Sequence, residues 1–181
     1  MRWGSPGAGR SFVEVSSLRL TKKSKYAVRA LMELALEDCG STLGVYEIAR
    51  RQRIPERFLE QIFGDLRRAN ILTSRRGARG GFCFAVPPED ITVLDIVEIL
   101  DGEIRPARCS AGGTCYIADA PLCATSKIWD EARTALEEVF GRYTIAQIAA
   151  GERESRAASV TDAEAMDAGE LVETAATSYT R

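Results

Sequence analysis

Residues 45–86 read VYEIARRQRIPERFLEQIFGDLRRANILTSRRGARGGFCFAV, and they hold two helical patterns, a turn and a hairpin in succession. Val45–Gln52 is short and amphipathic, with Ile48 and Ala49 on one side. Arg53-Ile54-Pro55 interrupts it, and proline is favoured at the start of a helix. A second helix is therefore predicted over Glu56–Ala69, where Phe58, Leu59, Ile62, Phe63 and Leu66 recur at helical spacing. Two β-type runs follow, Ile71-Leu72-Thr73-Ser74 and Phe82-Cys83-Phe84-Ala85-Val86. They flank the Gly- and Arg-rich loop Arg75-Arg76-Gly77-Ala78-Arg79-Gly80-Gly81, which is the pattern of a hairpin. Pro87-Pro88 ends it.

Working outward, Thr21 suits the N-cap of a preceding helix in which Tyr26, Ala27, Ala30, Leu31 and Leu34 share a face. That helix is expected to stop near Cys39–Gly40. Downstream, Ile91-Thr92-Val93-Leu94 leads into a helix through about Leu100, closed by Asp101-Gly102. Glu103–Ala124 reads as a loop bearing three cysteines. An amphipathic helix is predicted from Ser126 to Phe140, with Ile128, Trp129, Ala132, Leu136, Val139 and Phe140 on one face. A short last helix begins at Thr144-Ile145 and reaches about Ala150. The expected architecture is mainly α with a small β-hairpin, a winged helix-turn-helix over residues 18–102. A cysteine-rich loop (103–125) and two C-terminal helices (126–150) follow. Residues 1–17 read as a flexible leader, and 151–181, rich in Ala, Glu, Thr and Ser, as a disordered acidic tail.

The 181 residues carry a net charge of only −2. That balance conceals unlike parts: Ser16–Phe82 has 14 basic and 7 acidic residues, whereas Cys83–Ala150 has 5 and 11. A basic half suits a polyanionic partner. Its plain alternative is a solvated basic face. The chain has no histidine, which removes Ser-His-Asp and Cys-His nucleophiles, His-ligated zinc and an imidazole base. An enzyme is disfavoured. No apolar run approaches the roughly 20 residues of a membrane span, and the N-terminus lacks a signal-peptide core. The expected location is the cytosol, where five cysteines are buried, reactive or metal-binding rather than bridged.

In a winged helix-turn-helix the second helix of the pair enters the major groove of duplex DNA. Its exposed positions carry Glu56, Arg57, Glu60, Gln61 and Arg68. Gln can pair with adenine, Arg with guanine, and Glu can accept from cytosine. The wing tip adds Arg75, Arg76 and Arg79 for phosphates or the minor groove. Gly77–Gly81 lacks the Lys-Ser/Thr ending of a phosphate-binding loop, and no helix follows it, so a nucleotide site is rejected.

Cys109, Cys115 and Cys123 are spaced C-x5-C-x7-C. Thiolates gathered on a loop suit a soft metal or an iron–sulfur cluster; the alternative is ordinary or redox-reactive thiols. Cys83, between Phe82 and Phe84, is expected to pack inward. Cys39, at a helix end, is a minor candidate ligand like Cys83.

Leu20-Thr21, Tyr26-Ala27-Val28, Ile48-Ala49, Phe58-Leu59-Glu60-Gln61-Ile62, Leu66-Arg67 and Arg76-Gly77-Ala78-Arg79-Gly80-Gly81-Phe82 together resemble the Rrf2 family of bacterial transcription regulators. The cysteine segment and the helix after it are similar to the family's iron–sulfur branch. The resemblance spans about Arg19 to Gly151. It implies a DNA-binding repressor, homodimeric through the helix Ile128–Phe140, acting on a palindromic operator. It also implies an iron–sulfur cluster on Cys109, Cys115 and Cys123, 2Fe–2S before 4Fe–4S, sensing redox state, nitric oxide or cluster supply. By the same resemblance, Glu60, Gln61 and Arg76 match DNA-contacting positions, while Arg57 and Ala78 fall at contact positions with a different residue type. The fourth ligand known in the branch is either a histidine, at the place of Ser126, or an aspartate of the partner's first helix, at the place of Lys25. Both are missing, so Asp119, Ser126 or a group from a second subunit becomes the candidate. Leu18-Arg19-Leu20-Thr21 stands where family members begin, which makes Met1–Ser17 a possible start-site artefact. The rival expectations are a cluster-free regulator of the same fold, responding through thiols or a small ligand, and a non-DNA-binding iron–sulfur scaffold or carrier.

Overall fold

The computed structural model describes residues 20–37, 41–77, 80–107 and 125–159. Helix α1 spans Lys22–Ala35, and Thr21 caps it as expected, its side chain accepting from the Lys23 amide. Ala27, Ala30, Leu31 and Leu34 turn inward. The helix ends at Ala35 rather than near Cys39–Gly40. A distant side chain contributes to that early close: Arg153 donates to the Ala35 carbonyl at 2.5 Å. A cation at a helix C-terminus is favourable both for the orphan carbonyls and for the helix dipole.

Helix α2 (Val45–Gln52) and helix α3 (Glu56–Arg68) follow. Both end in the same way. After α2, Arg53 is left-handed and the Ile54 amide returns to the Ala49 carbonyl at 2.9 Å; after α3, Asn70 is left-handed and Ile71 returns to Leu66 at 2.9 Å. This closure satisfies the last carbonyls and turns Ile54 and Ile71 into the core.

Strands β1 (Leu72–Arg75) and β2 (Gly81–Phe84) form the antiparallel wing, in register from Leu72 opposite Phe84 to Arg75 opposite Gly81. Leu43, just before α2, exchanges both backbone hydrogen bonds with Phe82, at 3.1 and 3.0 Å, and so anchors the wing to the helical body. Cys83 is buried, as the alternation with Phe82 and Phe84 predicts. The Phe82 ring meets Phe63 of α3 edge to face, centroids 5.0 Å apart.

A 3-10 turn (Pro88–Asp90) precedes helix α4 (Val93–Asp101), which opens with a reciprocal Thr92–Asp95 capping box. Its last residue reaches back to the start of α1: Asp101 accepts from the Thr21 amide at 3.0 Å and from the Thr21 hydroxyl at 2.6 Å. Helix α5 covers Ser126–Arg142. A short bridge then brings Thr144 beside Thr92, and Ile145 donates to the Ile91 carbonyl at 2.9 Å. That pairing seats Ile145 and Ala149 of the last helix, α6 (145–159), in the common core with Ile48, Leu59, Ile62, Phe63, Leu66 and Ile96.

Helix α6 is nine residues longer than the composition suggests. The extension has no large apolar side chain and is held by charge instead. Arg156 pairs with Glu152 one turn earlier at 2.8 Å and with Glu33 of α1, also at 2.8 Å.

Candidate nucleic-acid interface

Helix α3 has two opposed faces. Leu59, Ile62, Phe63 and Leu66 are buried against the core, which leaves Glu56, Arg57, Glu60, Gln61, Arg67 and Arg68 exposed on the other side. The 3.6-residue period dictates this division, because residues three and four apart share a face. Lys23 of α1 forms an ion pair with Asp65, which Arg68 also engages, so α3 is braced against α1 near its C-terminal end. The Lys23 hydrogen bond outweighs desolvation and holds the Asp65 carboxyl below its ordinary range.

Charge on this surface is unevenly committed. Glu47 takes up Arg50 (2.7 Å) and Arg51 (2.6 Å), and these two guanidinium groups pull its pKa down to about 2. Arg51 also reaches Glu37 at 2.7 Å and Glu33 at 3.1 Å. Arg53, Arg57, Arg67 and Arg76 are exposed and have no carboxylate partner among the described residues. Those unpaired cations lie in the turn before α3, on α3 itself and on the wing.

The wing owes its tight turn to glycine. The Gly80 amide donates to the Gly77 carbonyl at 2.8 Å, and a Cβ at Gly80 would stand 2.6 Å from the Arg75 carbonyl oxygen. Arg75 ends β1 and Arg76 follows it, both exposed. Arg79 and Ala78 lie outside the described residues. The fold thus brings Arg57, Glu60 and Gln61 onto one exposed helix face and carries Arg75 and Arg76 at the wing. The sequence reading of the exposed face omits Arg53 and Arg67, although Arg67 lies two helical turns after Glu60 on the outer side of α3.

Behind the interface lies a buried carboxylate that composition does not disclose. Glu33 is fully buried and accepts from Gln52 Nε2 at 2.7 Å, Arg51 Nη1 at 3.1 Å and Arg156 Nη2 at 2.8 Å. Arg29 in turn donates to Gln52 Oε1 and to the Gln52 carbonyl. Burial disfavours the ionised form, but the hydrogen bonds from Arg156, Gln52 and Arg51 outweigh it and keep Glu33 below the ordinary carboxylate range. The group ties α1, α2 and α6 together. A glutamate between Met32 and Leu34 on an otherwise apolar face was its only trace in the sequence.

Cys109, Cys115, Cys123, Asp119 and Cys39 lie outside the described residues. Ser126 is the first residue of α5. Cys83 packs in the wing, and no group of three or more potential metal ligands occurs among the described residues.

The sequence profile of the Rrf2 family, iron-dependent transcriptional regulators, matches residues 20–151. The chain belongs to the Rrf2 family. A Rhodobacter capsulatus rrf2-like HTH-type transcriptional regulator is 43% identical over 133 residues, 70% of this chain and 84% of that protein. Among solved Rrf2-like structures, CymR, the global cysteine regulator of B. subtilis, superposes with a TM-score of 0.64 at 29% identity, covering 74% of this chain and 97% of that one. T. potens IscR superposes with a TM-score of 0.63 at 30% identity, covering 76% and 90%. The Rrf2 assignment makes the chain a helix-turn-helix transcription regulator and not an enzyme. No helix among the described residues is long and apolar enough to cross a membrane.

Proposed function

We propose that this Rrf2 regulator is a homodimeric repressor that reads a palindromic operator through α3 and the wing, with an affinity set by an iron–sulfur cluster on Cys109, Cys115 and Cys123. The observation that carries the DNA-reading part is the exposed face of α3, where Arg57, Glu60 and Gln61 stand with cations that no carboxylate among the described residues neutralises. Arg57 and Gln61 suit base edges in the major groove. Arg75, Arg76 and Arg79 suit phosphates or the minor groove.

Pairing of two copies is supported by α5. None of its 17 residues is buried, and Ile128, Trp129 and Val139 are exposed. An apolar stripe of this size on a soluble helix calls for a partner surface. A second copy placed there would present two α3 helices to half-sites about 34 Å apart, one turn of duplex.

Three thiols fit an iron–sulfur cluster by donor chemistry, since soft thiolates are its ligands. The fourth position falls to Ser126, Asp119 or a group of the second copy. When bound, such a cluster would supply redox and nitric-oxide reactivity. The chain's own part is to place the cysteine segment between α4 and α5. Asp101, at the end of α4, holds the cap of α1, and α5 is the pairing helix proposed above.

A second reading is favoured by the likeness to CymR, described as a global cysteine regulator. In it the thiols or a small ligand act with no cluster. Purification without oxygen, with iron and sulfide counted per chain and an absorption spectrum recorded, separates the two. A coloured protein that loses its chromophore in Cys109→Ala supports the cluster. A colourless, iron-free protein that still binds duplex DNA refutes it in favour of the second reading. Salt-dependent duplex binding weakened by Arg76→Ala, with sequence preference altered by Glu60→Ala, checks the DNA-reading face.

A further inference from the structure

We infer that Arg53, held in a left-handed turn immediately before α3, is a contact to the DNA phosphate backbone. The inference rests on the DNA-binding reading above and adds a residue to it. Only two described residues other than glycine have positive φ, Arg53 at 52° and Asn70 at 59°. They occupy equivalent places, one residue past a helix. Each closes the same pair of bonds, Arg53 to Arg50 at 3.4 Å with Ile54 to Ala49, and Asn70 to Arg67 at 3.1 Å with Ile71 to Leu66.

Asparagine visits this conformation readily because its short polar side chain bonds locally. Arginine has no such compensation, and glycine would fill the place without strain. A long cation therefore stands where the backbone favours a residue with no side chain. Strain of this kind persists where the side chain has a task.

Nothing among the described residues uses that side chain. The Arg53 side chain is exposed and has no hydrogen-bond or carboxylate partner among the described residues. Arg50 and Arg51, in the same Arg50-Arg51-Gln52-Arg53 run, are both taken up by Glu47. The neighbouring exposed cation, Arg57 in the first turns of α3, also lacks a carboxylate partner among the described residues. Arg53 and Arg57 thus flank the start of the helix assigned to the groove. A duplex read by α3 must pass its phosphates close to that end, because the preceding helix of the motif crosses the backbone there. A guanidinium is the side chain best matched to a phosphate.

The test uses the full-length protein purified without oxygen and a fluorescent duplex of mixed sequence three helical turns long. Sequence need not be known, since phosphate contacts are sequence-independent. Arg53→Gly is expected to weaken binding roughly tenfold and to flatten the dependence of log K on log salt by about 0.9 for each Arg53 engaged. The same change should raise the thermal midpoint by about 2–4 °C by relieving the turn. Arg53→Asn, which keeps a residue suited to the turn, should lose affinity and salt slope equally. Opposite signs in stability and affinity are the signature. A higher midpoint with unchanged affinity and slope in both variants would overturn the inference while leaving the DNA-binding reading intact. Failure of the wild-type protein to show salt-dependent duplex binding would overturn both.

Discussion

Replacing Arg156 with Ala removes one of three donors from a carboxylate that has no access to water. Stranding a buried charge altogether costs about 3–5 kcal/mol. Here Gln52 and Arg51 still donate to Glu33, and the Arg156 side chain is half exposed, so solvent already screens part of the pair. The expected loss at neutral pH is therefore about 1–2 kcal/mol, in line with a charged hydrogen bond. For a chain of this length that is a fall of roughly 2–8 °C in thermal midpoint.

The pH dependence separates this cause from simple loss of packing. In the wild type, Glu33 sits below its ordinary value of 4.5 in the folded state. Its stabilising share is complete above that value and is lost as pH falls through the lower folded value. Arg156→Ala raises the folded value, because a cation that favoured the ionised form has gone. The stability gap should therefore be widest near pH 7 and narrow as pH falls through the variant's raised folded value, where its carboxyl is protonated and no longer needs the arginine. Urea denaturation of both proteins across that range measures it. A gap that is constant with pH, or absent at pH 7, refutes the reasoning.

Gly81→Ala places a Cβ 2.6 Å from the Leu43 carbonyl oxygen, which is backbone and cannot swing aside. It should cost about 1–3 kcal/mol and loosen the wing, seen as faster hydrogen exchange at the Leu43 and Phe82 amides; unchanged protection would count against this. Thr21→Ala removes the side-chain cap of α1 and the hydroxyl's hydrogen bond to Asp101, while the backbone amide's bond to Asp101 remains. A loss of about 1–2 kcal/mol is expected by chemical denaturation, with Thr21→Ser retaining most of the stability.

Much of the DNA-reading unit could be read directly because local rules govern it. Pro55, the Arg53–Pro55 interruption and the glycines of the wing mark boundaries by their own backbone preferences. The bounds of α2 and the hairpin accordingly agree with the structure to within a residue or two. The end of α1 and the length of α6 were not legible, for one shared reason. Both depend on Arg153 and Arg156 meeting Ala35 and Glu33, partners more than 100 residues away in the chain. Nothing in the local composition of 151–159 signals such contacts, and a segment with no large apolar side chain reads as tail. On the interface, α3's outer face follows from its period, whereas Arg53 became visible only through its φ angle. Cys83 was assigned correctly by strand alternation. The three loop cysteines lie outside the described residues and keep the role given to them under the proposal.

The placement of Arg153 and Arg156 bears on how this regulator could be taken apart or recombined. The family profile ends at residue 151, before either arginine. A chain trimmed to that span would look complete by descent, yet it would lose one donor to Glu33 and the cation at the end of α1. Ancestry and energetics thus draw the unit's edge in different places. Grafting the DNA-reading half of this protein onto another sensor would require carrying the last turns of α6 along with it.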